Sequence, residues 1–204
     1  MMRIESMRHF RASATIQNTL SSRRVQREGD TPMNQRVLIA YATKYGATKE
    51  IAEAVGAALF AQGLAVDVLP AADVVALDDY SAVILGSAVY AGSWRGDAVK
   101  FLEAHEAALT ARPTWIFSDG PTGEGDPVEM MKGWNMPDAQ KPIIERIQPR
   151  DVAFFHGVID TGKLNLAERL LIRAFRAPAG DFRDWDSINA WAAEIATTLK
   201  PETA

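Results

Sequence analysis

Residues 37 to 62 constrain the fold more than any other stretch of the chain. Val37-Leu38-Ile39-Ala40-Tyr41-Ala42 is an apolar run rich in β-branched side chains. Beyond a loop of six residues, Ile51, Ala54, Val55, Ala58 and Leu59 recur at helical spacing. A buried strand, a tight loop and a helix from Glu50 to Gln62 follow from that change of period. The loop is Thr43-Lys44-Tyr45-Gly46-Ala47-Thr48. Its two threonine hydroxyls and its backbone N–H groups can converge on the positive end of the helix dipole, where an anion such as phosphate is stabilised. The Walker pattern G-x-x-x-x-G-K-[ST] and the dinucleotide pattern G-x-G-x-x-G are both absent. The same residues also admit a plain strand-to-helix turn in which Thr48 caps the helix and nothing binds.

The remainder of the chain alternates strand and helix signals. Gly63 suits the residue that ends a helix, and Ala65–Pro70 reads as a second strand. A short helical piece is expected at Asp73–Leu77, a third strand at Ala82–Gly86, apolar on both faces, and a loop over Ser87–Gly96. Ala98, Val99, Leu102, His105 and Leu109 predict one helix; Thr114–Ser118 a fourth strand; Lys141–Ile147 a helix; Val152–Gly157 a fifth strand; Trp185–Leu199 the last helix. Crossovers of this kind call for a doubly wound parallel sheet, whose ligand sits beyond the carboxyl ends of the strands. Two loops there have the composition for a flat ring. Ser87, Ala88, Val89, Tyr90, Ala91 and Gly92 include small residues that let backbone approach a ring edge, with Tyr90 or Trp94 to stack on its face. Asp119 and Gly120 open a second glycine-rich loop. Trp94 serves equally well as a core plug, Trp115, Trp185 and Trp191 occupy core positions, and Trp134 has no assignment.

Composition narrows the chemistry. With 204 residues, 48% hydrophobic and 24% charged, the chain suits one globular domain. The absence of cysteine excludes disulfides, thiolate metal sites and a cysteine nucleophile, which leaves any redox chemistry to a bound cofactor. His9, His105 and His156 lack zinc-type spacing, so no metal site is expected. No apolar run is long enough to span a membrane. The formal charge of -4 is not that of a general nucleic-acid binder. Residues 1–33 contribute +3 to that figure, so residues 34–204 carry -7. The Arg/Ser-rich start contains acidic residues and no apolar h-region, which argues against a targeting signal. A disordered extension over 1–33, followed by the domain at 34–204, is the expectation.

The T-x-x-G-x-T loop directly after the first strand resembles that of the flavodoxin family, which cradles the terminal phosphate of FMN. The resemblance implies an α/β flavodoxin-like fold: a doubly wound five-stranded parallel sheet of order 2-1-3-4-5 with helices on both faces. It implies FMN as cofactor, held by Thr43 to Thr48, by Ser87 to Gly92 with Trp94, and by Asp119 and Gly120. An insertion, Val158–Phe182, departs from short-chain flavodoxins. Within it Asn165 and Glu168 form a capping pair, Leu164, Leu171 and Phe175 mark one helical face, and Arg169, Arg173 and Arg176 another. With Gly86-Ser87-Ala88-Val89-Tyr90 and Asp184-Trp185-Asp186-Ser187-Ile188, this placement resembles the menaquinone-dependent protoporphyrinogen IX dehydrogenase branch of the superfamily.

That branch implies an FMN-dependent oxidoreductase passing hydrogen from a porphyrinogen to a quinone. It implies a cytoplasmic protein with peripheral contact at the inner face of the membrane through the 164–176 helix, which itself takes no part in holding FMN. No residue stands out as a required catalytic acid or base. A soluble electron carrier between protein partners and a flavin-free binding module remain as alternatives. The acidic domain disfavours a negatively charged reduced flavin and so leans towards a low-potential carrier.

Overall fold

The structure is a computed structural model and describes residues 36–200. The extension expected over residues 1–33 lies outside the described residues.

Strand β1 (Arg36–Ala42) lies inside the sheet, one strand from its edge. Its side chains alternate between two cores, as the two-residue period of a strand requires. Val37 and Ile39 face the helices α1 (Ala47–Ala61) and α7 (Trp185–Leu199), where they meet Val55, Leu59 and Ile195. Leu38 and Ala40 face α2 (Gly96–Ala104), α3 (Glu106–Thr110) and α5 (Lys141–Ile147), among Phe101, Leu102, Leu109 and Ile144. Burying each large aliphatic side chain contributes about 1.5–3 kcal/mol, so a strand apolar on both faces is stable only between two helical layers.

β1 pairs in parallel with β2 (Ala65–Pro70) on one side and β3 (Ala82–Tyr90) on the other. β5 (Thr114–Asp119) and β6 (Asp151–Phe155) continue the sheet beyond β3. The order β2-β1-β3-β5-β6 is the expected 2-1-3-4-5 arrangement of five parallel strands. Gly86 in β3 is a packing requirement. A Cβ there would lie 2.1 Å from Phe117 Cζ, because the Phe117 ring of β5 covers that position.

Several elements differ from their sequence expectations. The third strand does not stop at Gly86 but runs on to Tyr90, then turns back into β4 (Ser93–Trp94), pairing Val89 with Trp94 and Tyr90 with Ser93. The expected loop is therefore a hairpin. Ala91 (φ 49°) and Gly92 (φ 74°) form its two-residue turn, whose paired positive φ values match the twist of the strands. Asp73–Leu77 is not helical; a single 3₁₀ turn at Ala71–Asp73 precedes an extended stretch. The helix expected through Leu109 breaks at His105 (φ -114°), which separates α2 from α3. Trp185 is not in the core: it is half-exposed beneath the Arg183 guanidinium, 4.5 Å from its ring centroid. Trp134 packs edge-on against Phe154.

The insertion folds as β7 (Val158–Ile159) paired antiparallel with β8 (Gly180–Asp181), enclosing α6 (Leu166–Phe175). The remaining short helix is α4 (Pro127–Met130), capped by Asp126. No helix among the described residues is long and apolar enough to cross a membrane.

Candidate functional site

The loop between β1 and α1 is shaped by two features. Gly46 sits at the helix N-cap with φ 102°, a left-handed conformation that glycine adopts without a Cβ penalty. Thr43 Oγ1 accepts a hydrogen bond from the Gly46 N–H at 3.0 Å, which folds the loop back on itself. No side chain caps α1. Thr48 is therefore not the N-cap that a plain turn would make of it; it lies within the first turn, wholly buried, and its hydroxyl has no hydrogen-bond partner. An uncapped helix start with a buried, unpaired hydroxyl beside it leaves donors directed at the space in front.

That space is a cavity of about 230 Å³ at the carboxyl ends of β1, β3, β5 and β6. Thr43, Tyr45, Ala47 and Thr48 line it from the first loop, Ala88, Val89, Tyr90 and Ala91 from the β3 hairpin, and Asp119 and Gly120 from the end of β5. Gly120 lets the walls approach: a Cβ there would come 3.1 Å from Val89 Cβ.

The other residues anticipated for the site stand elsewhere. Trp94 is 6% exposed in the core, and its Nε1–H donates to Ser118 Oγ at 2.9 Å. The hairpin carries its ring away from the cavity, so it cannot stack there. Ser87 is buried, donating to Ala88 O and accepting from the Arg95 N–H, which steadies the hairpin. Gly46 and Gly92 supply turns and not walls. Lys44 points outward, its ammonium bonded to Glu168 and lying 5.1 Å and 5.9 Å from the Tyr45 and Tyr90 ring centroids.

The insertion closes the cavity. Leu171, Ile172 and Phe175 of α6, with Val158 and Ile159 of β7, form an apolar wall. α6 is also tied to the β1–α1 loop: Glu168 accepts from Lys44 Nζ and, at 2.5 Å, from the Tyr45 hydroxyl. The same carboxylate completes the capping box with Asn165. Lys44, then Tyr45, hold the Glu168 pKa down to about 2. These contacts to Lys44 and Tyr45, with the apolar residues above, make the segment part of the cavity wall.

Three further residues were not singled out by the sequence. Arg183 lines the cavity with a side chain 6% exposed, bonded to Glu50 (2.7 Å) and Asp181 (2.6 Å). Lys163 reaches the Tyr45 carbonyl at 3.5 Å. His156 seats its ring between the carbonyl oxygens of Pro121 (3.2 Å) and Gly125 (2.8 Å), fixing the glycine-rich loop that follows β5. Burial is the main cause of two shifts: the Tyr90 hydroxyl is pushed up to about 12, and the Asp119 carboxyl to about 7 despite the nearby Thr48 hydroxyl and Arg183 charge. Among the described residues no group of three acidic or histidine side chains could hold a metal ion.

A family model described as the flavodoxin domain matches residues 38–186. The chain belongs to this flavodoxin-domain family. Solved structures agree on the fold. A cysteine-to-serine mutant of a flavodoxin from Pseudomonas aeruginosa is 16% identical, with 81% of this chain and 99% of that chain covered and a TM-score of 0.52. Oxidised flavodoxin 1 from Bacillus cereus gives the same identity and coverage at 0.53. Rubredoxin oxygen:oxidoreductase from Desulfovibrio gigas is 12% identical at 0.53, over 81% of this chain and 36% of that chain. No curated protein matches the sequence. Within the flavodoxin domain, Val158–Phe182 accounts for β7, α6 and β8.

Proposed function

We propose that this flavodoxin domain is an FMN-binding redox protein that seats the FMN phosphate on the Thr43–Thr48 loop. The observation that carries this reading is the Thr48 hydroxyl, fully buried and unpaired beside an uncapped helix N-terminus. A buried hydroxyl without a partner is costly, and a phosphate oxygen is the acceptor that this donor set suits. When bound, FMN supplies the electron and hydride chemistry. The chain positions it: Thr43 and Thr48 at the phosphate, on the turn that Gly46 makes, and Ala88 to Ala91 with Gly120 close against the ring. Tyr45 and Tyr90, whose ring centroids are 6.3 Å apart, both line the cavity.

The finer reading is an oxidoreductase related to protoporphyrinogen IX dehydrogenase, with a quinone as acceptor. It is supported by the apolar wall of Val158, Ile159, Leu171, Ile172 and Phe175, which suits a flat apolar molecule beside the ring. It is supported also by α6, where Leu166 (75% exposed) and Leu170 (59%) face outward next to Arg169 and Arg173. A peripheral contact with an anionic membrane through this helix fits that arrangement. The charge of -7 over residues 34–204 favours a second reading, a soluble carrier between protein partners. Steady-state turnover of protoporphyrinogen with a menaquinone analogue separates the two. The dehydrogenase reading expects saturable turnover; its absence in FMN-loaded protein favours the carrier.

A further inference from the structure

The phosphate end of the cavity contains a second orphaned oxygen besides Thr48 Oγ1. Asp119 Oδ1 is buried without a hydrogen bond of ordinary geometry, the Thr48 hydroxyl lying near enough to draw its pKa down against burial, and the residue, 3% exposed, lines the same wall. A carboxyl in this position must share its surroundings with whatever anion the loop receives. We propose that Asp119 is a proton-carrying wall of the phosphate site: it stays a neutral acid while a phosphomonoester is bound, so that binding takes up one proton. This rests on the FMN-phosphate reading above.

The charges around Asp119 support the assignment. Both cations that line the cavity already face carboxylates: Arg183 is bracketed by Glu50 of α1 and Asp181 of β8, and Lys163 faces Asp160 at 3.9 Å. Lys44, beyond the wall, is engaged by Glu168 of α6. Tyr90 of β3 has its hydroxyl pKa raised to about 12 and stays neutral, and Tyr45 has its own raised, first by the bond to Glu168. His156 after β6 is turned to the Pro121 and Gly125 carbonyls. No uncommitted cation among these groups offsets an ionised Asp119 next to a phosphate dianion. Like charges in a buried site drive one group to its neutral form. Burial already places the Asp119 pKa at about 7 in the free protein, so a dianion raises it further. Above pH 7 the proton must then come from solvent. The phosphate, with a second pKa near 6, is already a dianion there and does not titrate.

The test compares FMN with riboflavin, which lacks the phosphate, between pH 7 and 9. In the wild type, FMN affinity is expected to fall towards about tenfold per pH unit, while riboflavin affinity stays level. Calorimetry at pH 8 in buffers of different ionisation enthalpy should show uptake of about one proton per FMN and none with riboflavin. Asp119→Asn, close to isosteric, should flatten the FMN profile and abolish the uptake. A level FMN profile, an equal slope for riboflavin, or a slope that survives Asp119→Asn overturns the proposal. Should the variant fold poorly, the wild-type calorimetry with the two ligands decides alone. If FMN binds at no pH, the phosphate-site reading falls and this inference falls with it.

Discussion

A buried hydroxyl without a partner costs on the order of 1–3 kcal/mol, which is the upper bound for Thr48, whose hydroxyl has no hydrogen bond of ordinary geometry but lies near the Asp119 carboxyl. Thr48→Val keeps the shape and removes the orphan. It is therefore expected to leave the free protein as stable as the wild type or more so in urea unfolding, while weakening FMN binding; with Thr43→Ala added, the loss should reach a few kcal/mol, since hydrogen bonds to charged groups are worth roughly 1.5–3 kcal/mol each. Asp119 predicts a pH profile for stability. Its carboxyl is raised from 3.8 to about 7 on folding, so its contribution is fully present below the unfolded value and is lost as pH rises through the folded one. Asp119→Asn should accordingly match the wild type near pH 4 and exceed it at pH 8, by a few kcal/mol at most, as one pKa unit is worth about 1.4 kcal/mol. Thr43, Gly46 and Thr48 were legible in the sequence because a loop motif is local. Arg183 was not, because its partner Glu50 lies 133 residues away. Trp94 was ambiguous for another reason: an aromatic residue beside a glycine can stack on a ligand or plug the core, and only the hairpin at Ala91-Gly92 decides which.

At the scale of elements, the strand and helix periods gave most of the fold and missed where local rules yield to pairing. β3 runs past Gly86 because Val89 and Tyr90 find partners in Trp94 and Ser93, which a reading of apolar runs does not reveal. Helix α6 was legible down to its cap at Asn165, yet the second role of Glu168, holding Lys44 and Tyr45 across 124 and 123 residues, was not. This link sets an expectation for ligand exchange. Glu168→Ala should speed FMN release in stopped-flow fluorescence, because the wall loses its tie to the loop, while the sheet and its far-ultraviolet circular dichroism remain unchanged. The carboxylate is held down from 4.5 to about 2, so the tie is present above the ordinary value and lost as pH falls through the depressed one. Equal release rates in variant and wild type at pH 7 would show that α6 does not gate the cavity. Gly86→Ala tests the sheet itself: a Cβ 2.1 Å from Phe117 Cζ should cost at least about 1–3 kcal/mol of overpacking in a denaturant titration.

For the whole molecule, the doubly wound order followed from the alternation of elements, and the position of the ligand cavity followed from that order. How the insertion uses this frame was not legible, since an amphipathic helix reads the same whether its apolar side meets a cavity, a lipid or both. Arg169, Arg173 and Arg176 bear on that question. Near an anionic surface each contributes about 1 kcal/mol, so their joint replacement by glutamine is expected to abolish low-salt association with anionic liposomes and leave FMN affinity intact. Loss of FMN binding in that triple variant would contradict the division of labour between the two sides of α6. The central claim, that the cavity holds FMN by its terminal phosphate, is tested most directly by fluorescence titration of the flavin-free protein with FMN, riboflavin and FAD at pH 7. The account predicts FMN binding at least about tenfold tighter than either of the others, consistent with one or more charged hydrogen bonds at Thr43 and Thr48. Equal affinity for FMN and riboflavin, or FAD bound as tightly as FMN, would contradict it.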